Sequence, residues 1–233
     1  MKLSIIVPCY NEKNTIEKII NKILNEKKII KEIILVDDFS NDGSREIIKH
    51  SIKKRVNKVI FHNKNMGKGG CIKSALPYVK GNVIIIQDAD LEYSPKDYKV
   101  LLKAYNTGKS EVIYGSRVLG KSRYRLKNFS SIYRIFFNHI LSLVTNILCS
   151  QNLTDAHTCY KLFSKKILKN IKLVENDFSF CPEITVKFSN LGIKIYEVPI
   201  SYNGRDYIEG KKIRFIDGFK ALFVILRYRL FRS

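Results

Sequence analysis

The chain has 233 residues, enough for one α/β domain with a sizeable core and at most a small appendage. Its 42 Lys and Arg against 21 Asp and Glu give a net charge of +21, a surface that attracts polyanions (nucleic acid, anionic lipid headgroups or a phosphate-bearing substrate) or is simply solvated. An odd number of scattered cysteines, five with no CxxC pair, excludes a disulfide framework and a cysteine zinc site and fits reduced thiols in a cytosolic setting.

In chain order, the short apolar run Leu3–Pro8 reads as a buried first strand, not as a signal peptide. Thr15–Leu24 has helical spacing, with Ile16, Ile19, Ile20, Ile23 and Leu24 on one face and Asn14 or Thr15 as cap. Glu32–Asp37 is a second strand, Asp42–Ser51 a helix with Ser44 as its cap, and Lys58–His62 a third strand. Gly67–Lys80 is a Gly-rich turn that feeds a helix. Asn82–Gln87 is a fourth strand, Pro95–Tyr105 a helix opened by proline, and Glu111–Tyr114 a fifth strand. This alternation predicts an α/β fold: a mostly parallel sheet, helices on both faces, and ligands at the carboxyl ends of the strands.

The second half reads differently. Ser130–Cys149 is a long helix whose Arg134, Asn138 and His139 make it too polar to span a bilayer. Leu153–Phe163 is strand-like or irregular, Pro182–Leu191 a helix and Ile193–Ser201 a strand. Ile213–Leu230 is a helix that groups Phe215, Ile216, Phe219, Leu222, Phe223, Leu226 and Leu230 near several basic residues. No run of about 18 uninterrupted apolar residues occurs, so no transmembrane helix is predicted.

Three acidic features each follow a predicted strand: Glu12 after the first, Asp37-Asp38 after the second and Asp88-Ala89-Asp90 after the fourth. Carboxylates gathered at one sheet edge repel one another unless a cation or hydrogen-bond donors compensate. A divalent cation, Mg²⁺ or Mn²⁺, does this with hard oxygen ligands and commonly shares its shell with phosphates.

Ser4-Ile5-Ile6-Val7-Pro8-Cys9-Tyr10-Asn11-Glu12, Val36-Asp37-Asp38-Phe39-Ser40-Asn41-Asp42-Gly43-Ser44, Asn65-Met66-Gly67-Lys68-Gly69-Gly70, Gln87-Asp88-Ala89-Asp90-Leu91-Glu92 and Gly115-Ser116-Arg117 occur in this order. Further along come Asp155-Ala156-His157-Thr158-Cys159-Tyr160-Lys161, Phe180-Cys181-Pro182-Glu183 and Val198-Pro199-Ile200-Ser201-Tyr202, leading to Arg205 and Gly210-Lys211-Lys212. As a set they resemble family 2 glycosyltransferases of the GT-A fold, and within these the polyprenyl-phosphate (dolichyl-phosphate) mannose and glucose synthases. The resemblance covers nearly the whole chain.

It implies a role for each matching residue. Pro8, Tyr10 and Glu12 would line a nucleoside pocket with Asp37, which would read the base. Asp88 would sit by the ribose and the metal shell, joined through Ala89 to Asp90, which would bind the metal on the diphosphate. Glu92 would add to or support that shell, and Lys68 and Gly69 would approach the nucleotide. Arg117, Arg205, Lys211 and Lys212 would handle anionic charge on the diphosphate and on an acceptor phosphate. Two positions depart from the pattern: acidic residues are expected where His157 and Cys181 stand, near the sugar or acceptor.

The implied reaction is inverting transfer of a hexosyl group from a UDP- or GDP-sugar to a polyprenyl phosphate. A phosphate monoester is largely ionised at neutral pH, with a second pKa of about 6, so it attacks without a general base. An alternative acceptor, a hydroxyl on a surface glycan, would need one, with Asp155 or His157 as candidates. A nucleic-acid-binding module would explain the charge but leaves the acidic strand ends unexplained, and no nucleic-acid motif is present. Residues 1–212 are thus expected to form the transferase domain. Residues 213–233 would be an amphipathic helix of the same domain or an appendage, either packed on the core or lying at the cytoplasmic face of a membrane.

Overall fold

In the computed structural model, which describes residues 1–119, 129–205 and 215–231 (side chains of 129–135 and 215 excepted), the alternating half of the sequence forms the elements its periodicity predicts. Strand β1 (Leu3–Cys9) is buried along almost its whole length, as expected for a strand covered on both faces. Helix α1 (Ile16–Asn25) buries Ile16, Ile19, Ile20 and Ile23, the predicted stripe; each such side chain contributes roughly 1.5–3 kcal/mol on burial. Strands β2 (Lys31–Asp37), β3 (Lys58–Phe61) and β4 (Val83–Ile86) follow, separated by α2 (Ser44–Ile47) and α3 (Gly67–Ala75). Helix α2 widens into a π-helical turn over Ile48–Ile52.

Of the two cap expectations, the first holds in position only and the second fails, for a shared reason. Thr15 stands at the N-cap of α1, but its hydroxyl donates to Glu12 Oε2 at 2.8 Å instead of capping the helix. Ser44 is the first residue of α2, not its cap; Gly43, at φ +100°, holds that place. Both hydroxyls are drawn into loop contacts, which compete with the helix end for the same side chains.

The chain divides into two units, Met1–Lys96 with Leu162–Asp177, and Asp97–Lys161 with Phe178–Ser233. In the first, strand order is β3-β2-β1-β4, all parallel, followed by β6 (Lys161–Ser164) antiparallel to β4. The chain leaves β1 toward β2 on one side and reaches β4 on the other. The carboxyl ends of β1 and β4 therefore flank the point where strand order reverses, the position at which open α/β sheets bind ligands.

The second unit contains α4 (Tyr98–Asn106), β5 (Val112–Ser116), α5 (Phe129–Cys149), α6 (Phe180–Asn190), β7 (Tyr196–Pro199) and α7 (Phe215–Leu230). Strands β5 and β7 pair in parallel, Ile113 opposite Tyr196 through Ser116 opposite Pro199. Gly115 is required here: a Cβ would lie 2.7 Å from the Ile200 side chain and 3.0 Å from Tyr160 Cβ. Leu141 and Cys149 of α5, Val186 of α6, and Ala221, Val224, Ile225 and Tyr228 of α7 form its helical core. The face of α7 grouped in the sequence is thus not the buried one. Ile216, Phe219, Phe223, Leu226 and Leu230 are exposed, and the smaller Ala221 and Val224 face the core with Ile225 and Tyr228.

Candidate functional site

In the first unit the loop after β1, carrying Tyr10-Asn11-Glu12, is laced to the loop after β2. Asn11 N–H donates to Ser40 Oγ at 3.0 Å, Glu12 N–H to Ser44 Oγ at 2.8 Å, and Lys13 N–H to Asp42 Oδ2 at 3.0 Å. Asn41 N–H returns a bond to Asn11 Oδ1 at 2.9 Å. Burial pushes the Asp42 carboxyl up, but hydrogen bonds from Ser44 and Lys13 outweigh it and leave the group below its usual range. The Ser-Asn-Asp-Gly-Ser run is therefore a latch that holds the Tyr10–Glu12 turn. Asn11, Phe39 and Leu91, one in each loop after β1, β2 and β4, have φ of 51°, 65° and 50°. Left-handed non-glycine residues cost about 1–3 kcal/mol apiece and cluster at functional loops.

Asp37 ends β2 fully buried. Its Oδ2 accepts from Arg45 Nε at 2.6 Å, while its Oδ1 is buried without a hydrogen-bond partner. Arg45 also donates to the His62 carbonyl at 2.5 Å and lies over the Phe39 and Phe61 rings, so one oxygen of Asp37 is fixed and the other is left buried without a partner. An unpartnered carboxylate oxygen in such a place costs about 1–3 kcal/mol or more, which a donor on a ligand would recover.

The neighbouring Asp38 has a different job. Its Oδ1 accepts Met66 N–H and its Oδ2 Gly67 N–H, both at 2.8 Å. His62 Nδ1 donates to the same carboxylate at 2.8 Å, and its Nε2 shares a hydrogen bond with Ser74 Oγ at 2.9 Å. With Cys71 these residues form a compact group of metal-ligand types, but burial and the Asp38 charge push the Cys71 thiol far up, so it stays protonated. The group is a hydrogen-bonded anchor for the Gly-rich turn. Gly67, at φ +77°, is obligatory there, since a Cβ would meet the Asn176 carbonyl at 2.5 Å.

The turn delivers Lys68, whose Nζ sits 2.5 Å from Asp88 Oδ1. Asp88, buried Ala89 and Asp90 follow β4 directly, and Glu92 N–H donates to Asp90 Oδ1 at 3.2 Å. Pro8, Tyr10, Asp88 and Asp90 are half-buried; Glu12, Gly69 and Glu92 are buried. The first unit thus assembles Lys68, Asp88 and the Asp90–Glu92 turn. Carboxylate oxygens that already draw an ammonium group are a hard donor set that fits Mg²⁺ or Mn²⁺.

In the second unit Arg117, just past β5, grips Asp155 through Nε and Nη2, both at 2.7 Å, and through its backbone N–H at 3.0 Å. Burial raises the Asp155 carboxyl, but the Arg117 charge and its hydrogen bonds more than offset this and hold it below the usual range. Glu197 of β7 accepts from the backbone N–H groups of Thr154 and Asp155 at 2.7 and 2.9 Å, and Arg117 stacks on the Tyr202 ring at 5.2 Å. Lys161, fully buried, donates to the Ala156 carbonyl at 2.8 Å over the Tyr114 ring. Burial, with the Lys161 charge beside it, pushes His157 down to about 3. Its Nε2 and the Thr158 hydroxyl are buried without hydrogen-bond partners. Arg205 is half-buried; Lys211 and Lys212 lie outside the described residues.

Arg45, Asp42, Ser44, Asp38, Glu197 and Lys161 carry the support of these groups and were not singled out for it in the sequence. The signal for Asp42, Ser44, Asp38 and Lys161 was present, since they are members of the quoted motifs, and Arg45 stands one position past Ser44. Nothing local marks Glu197, whose partners are 42 and 43 positions away.

The family described as "Glycosyl transferase family 2" matches residues 4–172. Dolichyl-phosphate beta-glucosyltransferase ALG5A of Trichomonas vaginalis is 28% identical over 98% of this chain and 73% of its own length. Dolichol-phosphate mannosyltransferase of Pyrococcus furiosus is 28% identical over 91% of this chain and 61% of its own. The crystal structure of glucosyl-3-phosphoglycerate synthase from Mycobacterium tuberculosis with UDP superposes with a TM-score of 0.73 over 98% of this chain and 80% of that one, at 15% identity. A second structure of that enzyme, with Mn²⁺, UDP and glucosyl-3-phosphoglycerate, gives 0.71 over 97% and 78%, at 16% identity. At that identity the likeness is one of fold, and it is the GT-A arrangement expected from the sequence.

Proposed function

The chain belongs to glycosyl transferase family 2, and from that premise we propose that this glycosyltransferase moves a hexosyl group, with inversion, from a UDP- or GDP-sugar to a polyprenyl phosphate. The observation that carries the donor side is Asp37, buried with one oxygen pinned by Arg45 and the other presented without a partner. That oxygen suits an N–H on a nucleobase edge. Pro8, Tyr10 and Glu12 line the nucleoside pocket in this reading, and Lys68 and Gly69 approach the nucleotide.

Asp88, Asp90 and Glu92 would hold Mg²⁺ or Mn²⁺, which supplies positive charge to the departing diphosphate. Lys68 adds its own charge beside Asp88. Arg117, with Arg205, Lys211 and Lys212, serves the anionic charge of the diphosphate and the acceptor. In the transfer, an acceptor phosphate oxygen bonds to the anomeric carbon and the bond from that carbon to the diphosphate breaks, its electron pair leaving with the nucleotide. No proton has to be removed from an ionised phosphate, so the protein's work is positioning and neutralisation. The bidentate pair makes Asp155 a positioning residue for Arg117 rather than a free base.

Support for a lipid acceptor comes from the two dolichyl-phosphate enzymes, whose likeness runs over most of this chain. With such an acceptor the reaction would run at a membrane surface, in this reading the cytoplasmic face. The test is transfer of radiolabelled sugar to a polyprenyl phosphate, with a panel of nucleotide sugars and Mg²⁺ or Mn²⁺. Label in the lipid phase is expected, and label found only in a water-soluble glycan would overturn the acceptor. Asp90→Asn should keep the melting temperature and lose roughly 10²–10³ in kcat, as removal of an electrostatic stabiliser does.

A further inference from the structure

The Lys68–Asp88 ion pair joins the Gly-rich turn to the end of β4, and the backbone on each side of it is tied down. On one side Asp38 accepts the N–H groups of Met66 and Gly67 at 2.8 Å, and Gly70 N–H donates to the Asn176 carbonyl at 2.9 Å. On the other, Gln87 N–H donates to the Ile6 carbonyl of β1 at 2.9 Å, and the Gln87 side chain donates to the Asp88 carbonyl at 3.0 Å. Movement at this junction therefore falls to the two side chains. Lys68 Nζ lies 2.5 Å from Asp88 Oδ1, and only 11% and 22% of the two side chains are exposed.

That oxygen has two claimants. In the donor-side reading Asp88 serves the shell of Mg²⁺ or Mn²⁺, yet an ammonium group already sits on it. A divalent cation reaching Asp88 meets a like charge at contact distance. The pair is mostly shielded from solvent, so this repulsion is screened less than in water. Helix α3 contains no acidic residue, so no carboxylate of its own helix draws Lys68 away from Asp88. A nucleoside diphosphate does so, because it brings several negative charges on exposed oxygens. Lysine suits such an exchange, being a compact charge with three donors on a flexible stem.

We propose that Lys68 is an exchangeable counter-ion that couples nucleotide binding to metal binding. Without nucleotide its ammonium holds Asp88 and weakens metal binding. A bound diphosphate draws the ammonium to its own oxygens and leaves Asp88 to the metal. Each ligand then strengthens the other by the same factor, as linkage requires. The proposal rests on the donor-side reading of Asp88, and its test needs neither sugar nor acceptor.

Mn²⁺ binding to the full-length chain is to be measured by calorimetry, alone and with saturating UDP or GDP, for wild type, Lys68→Met and Asp88→Asn. Lys68→Met removes the charge and keeps most of the stem. Mn²⁺ alone should then bind about tenfold more tightly, inside the span of roughly 5–150-fold usual for coupled sites. The nucleotide alone should bind more weakly, so the two affinities move in opposite directions. Lys68→Arg keeps the charge and should restore the weaker Mn²⁺ binding. A residue that only shapes the turn would lower both affinities or neither. Melting curves check that each variant is folded, and Lys68→Gln replaces the methionine variant if that one is not. Mn²⁺ affinity that loss of the Lys68 charge leaves unchanged or lowers would overturn the proposal. Asp88→Asn separates this failure from that of the donor-side reading. If it weakens Mn²⁺ binding while Lys68→Met does not strengthen it, the exchange alone is wrong. If it leaves Mn²⁺ binding as in wild type, Asp88 is not a metal ligand and both readings fall.

Discussion

The strand-end loops of the first unit and the Thr154–Lys161 segment of the second both bury charge, but they satisfy it differently. In the first, neighbouring loops share short backbone-to-side-chain hydrogen bonds, and one buried oxygen, Asp37 Oδ1, is left over. In the second, Arg117 engages both oxygens of Asp155, whereas in the first Arg45 holds only one oxygen of Asp37; His157 is kept neutral beside the pair, its Nε2 and the Thr158 hydroxyl buried without partners. The first arrangement leaves an acceptor open for a ligand in the proposed reading, and the second stiffens the segment that holds Arg117. Substitutions should therefore cost binding in one region and stability in the other.

The largest effect should come from the second region. Asp155→Ala strands Arg117 in a buried position, and breaking one partner of a buried pair costs about 3–5 kcal/mol. Chemical denaturation measures this directly. Adding Arg117→Leu to the same chain should return part of the loss, because the stranded charge is gone. A single variant within about 1 kcal/mol of wild type would mean that Asp155 is not the frame of this segment.

Next comes Asp37→Asn in the first region. Hydrogen bonds to charged groups are worth about 1.5–3 kcal/mol, which is roughly ten- to 150-fold in Kd. Titration calorimetry with UDP and GDP should show that loss for the preferred nucleotide. The melting temperature should move less than in Asp155→Ala, because Arg45 keeps its bond to the His62 carbonyl and its two aromatic neighbours. Unchanged nucleotide affinity would remove the base-reading role.

The same contrast explains what was legible beforehand. Pro8, Tyr10, Glu12, Asp37, Asp88 and Asp90 stand within a few positions of a strand end, and a buried strand announces itself by its apolar run, as Val83–Ile86 does before Asp88. Parallel pairing then brings those ends to one edge. Helix ends were less legible, since Thr15 and Ser44 look like caps and spend their hydroxyls on Glu12 and Asp42 instead. Inward and outward faces of α5 and α7 could not be told apart by periodicity, because both faces are apolar. The Glu197 support of Asp155 depends on the parallel pairing of β5 and β7, which no local pattern specifies.

His157 offers the smallest effect at neutral pH and the sharpest test of the second region. Its folded-state value of about 3 lies below the ordinary imidazole value of 6.5, because burial and the Lys161 charge disfavour the imidazolium. Between those two values the unfolded chain binds a proton that the folded chain does not. Stability from this group is thus complete above about pH 6.5 and declines as pH falls toward 3. The Arg117–Asp155 pair acts at lower pH, since the Asp155 carboxyl is depressed and is lost only when acid reaches it. Melting curves of wild type and His157→Gln from pH 7 down to pH 5 should converge at the acid end, the variant having the shallower slope. Parallel slopes would show that His157 is not held neutral, and the second region would then resemble the first, with a buried group free to take charge when its surroundings supply a partner.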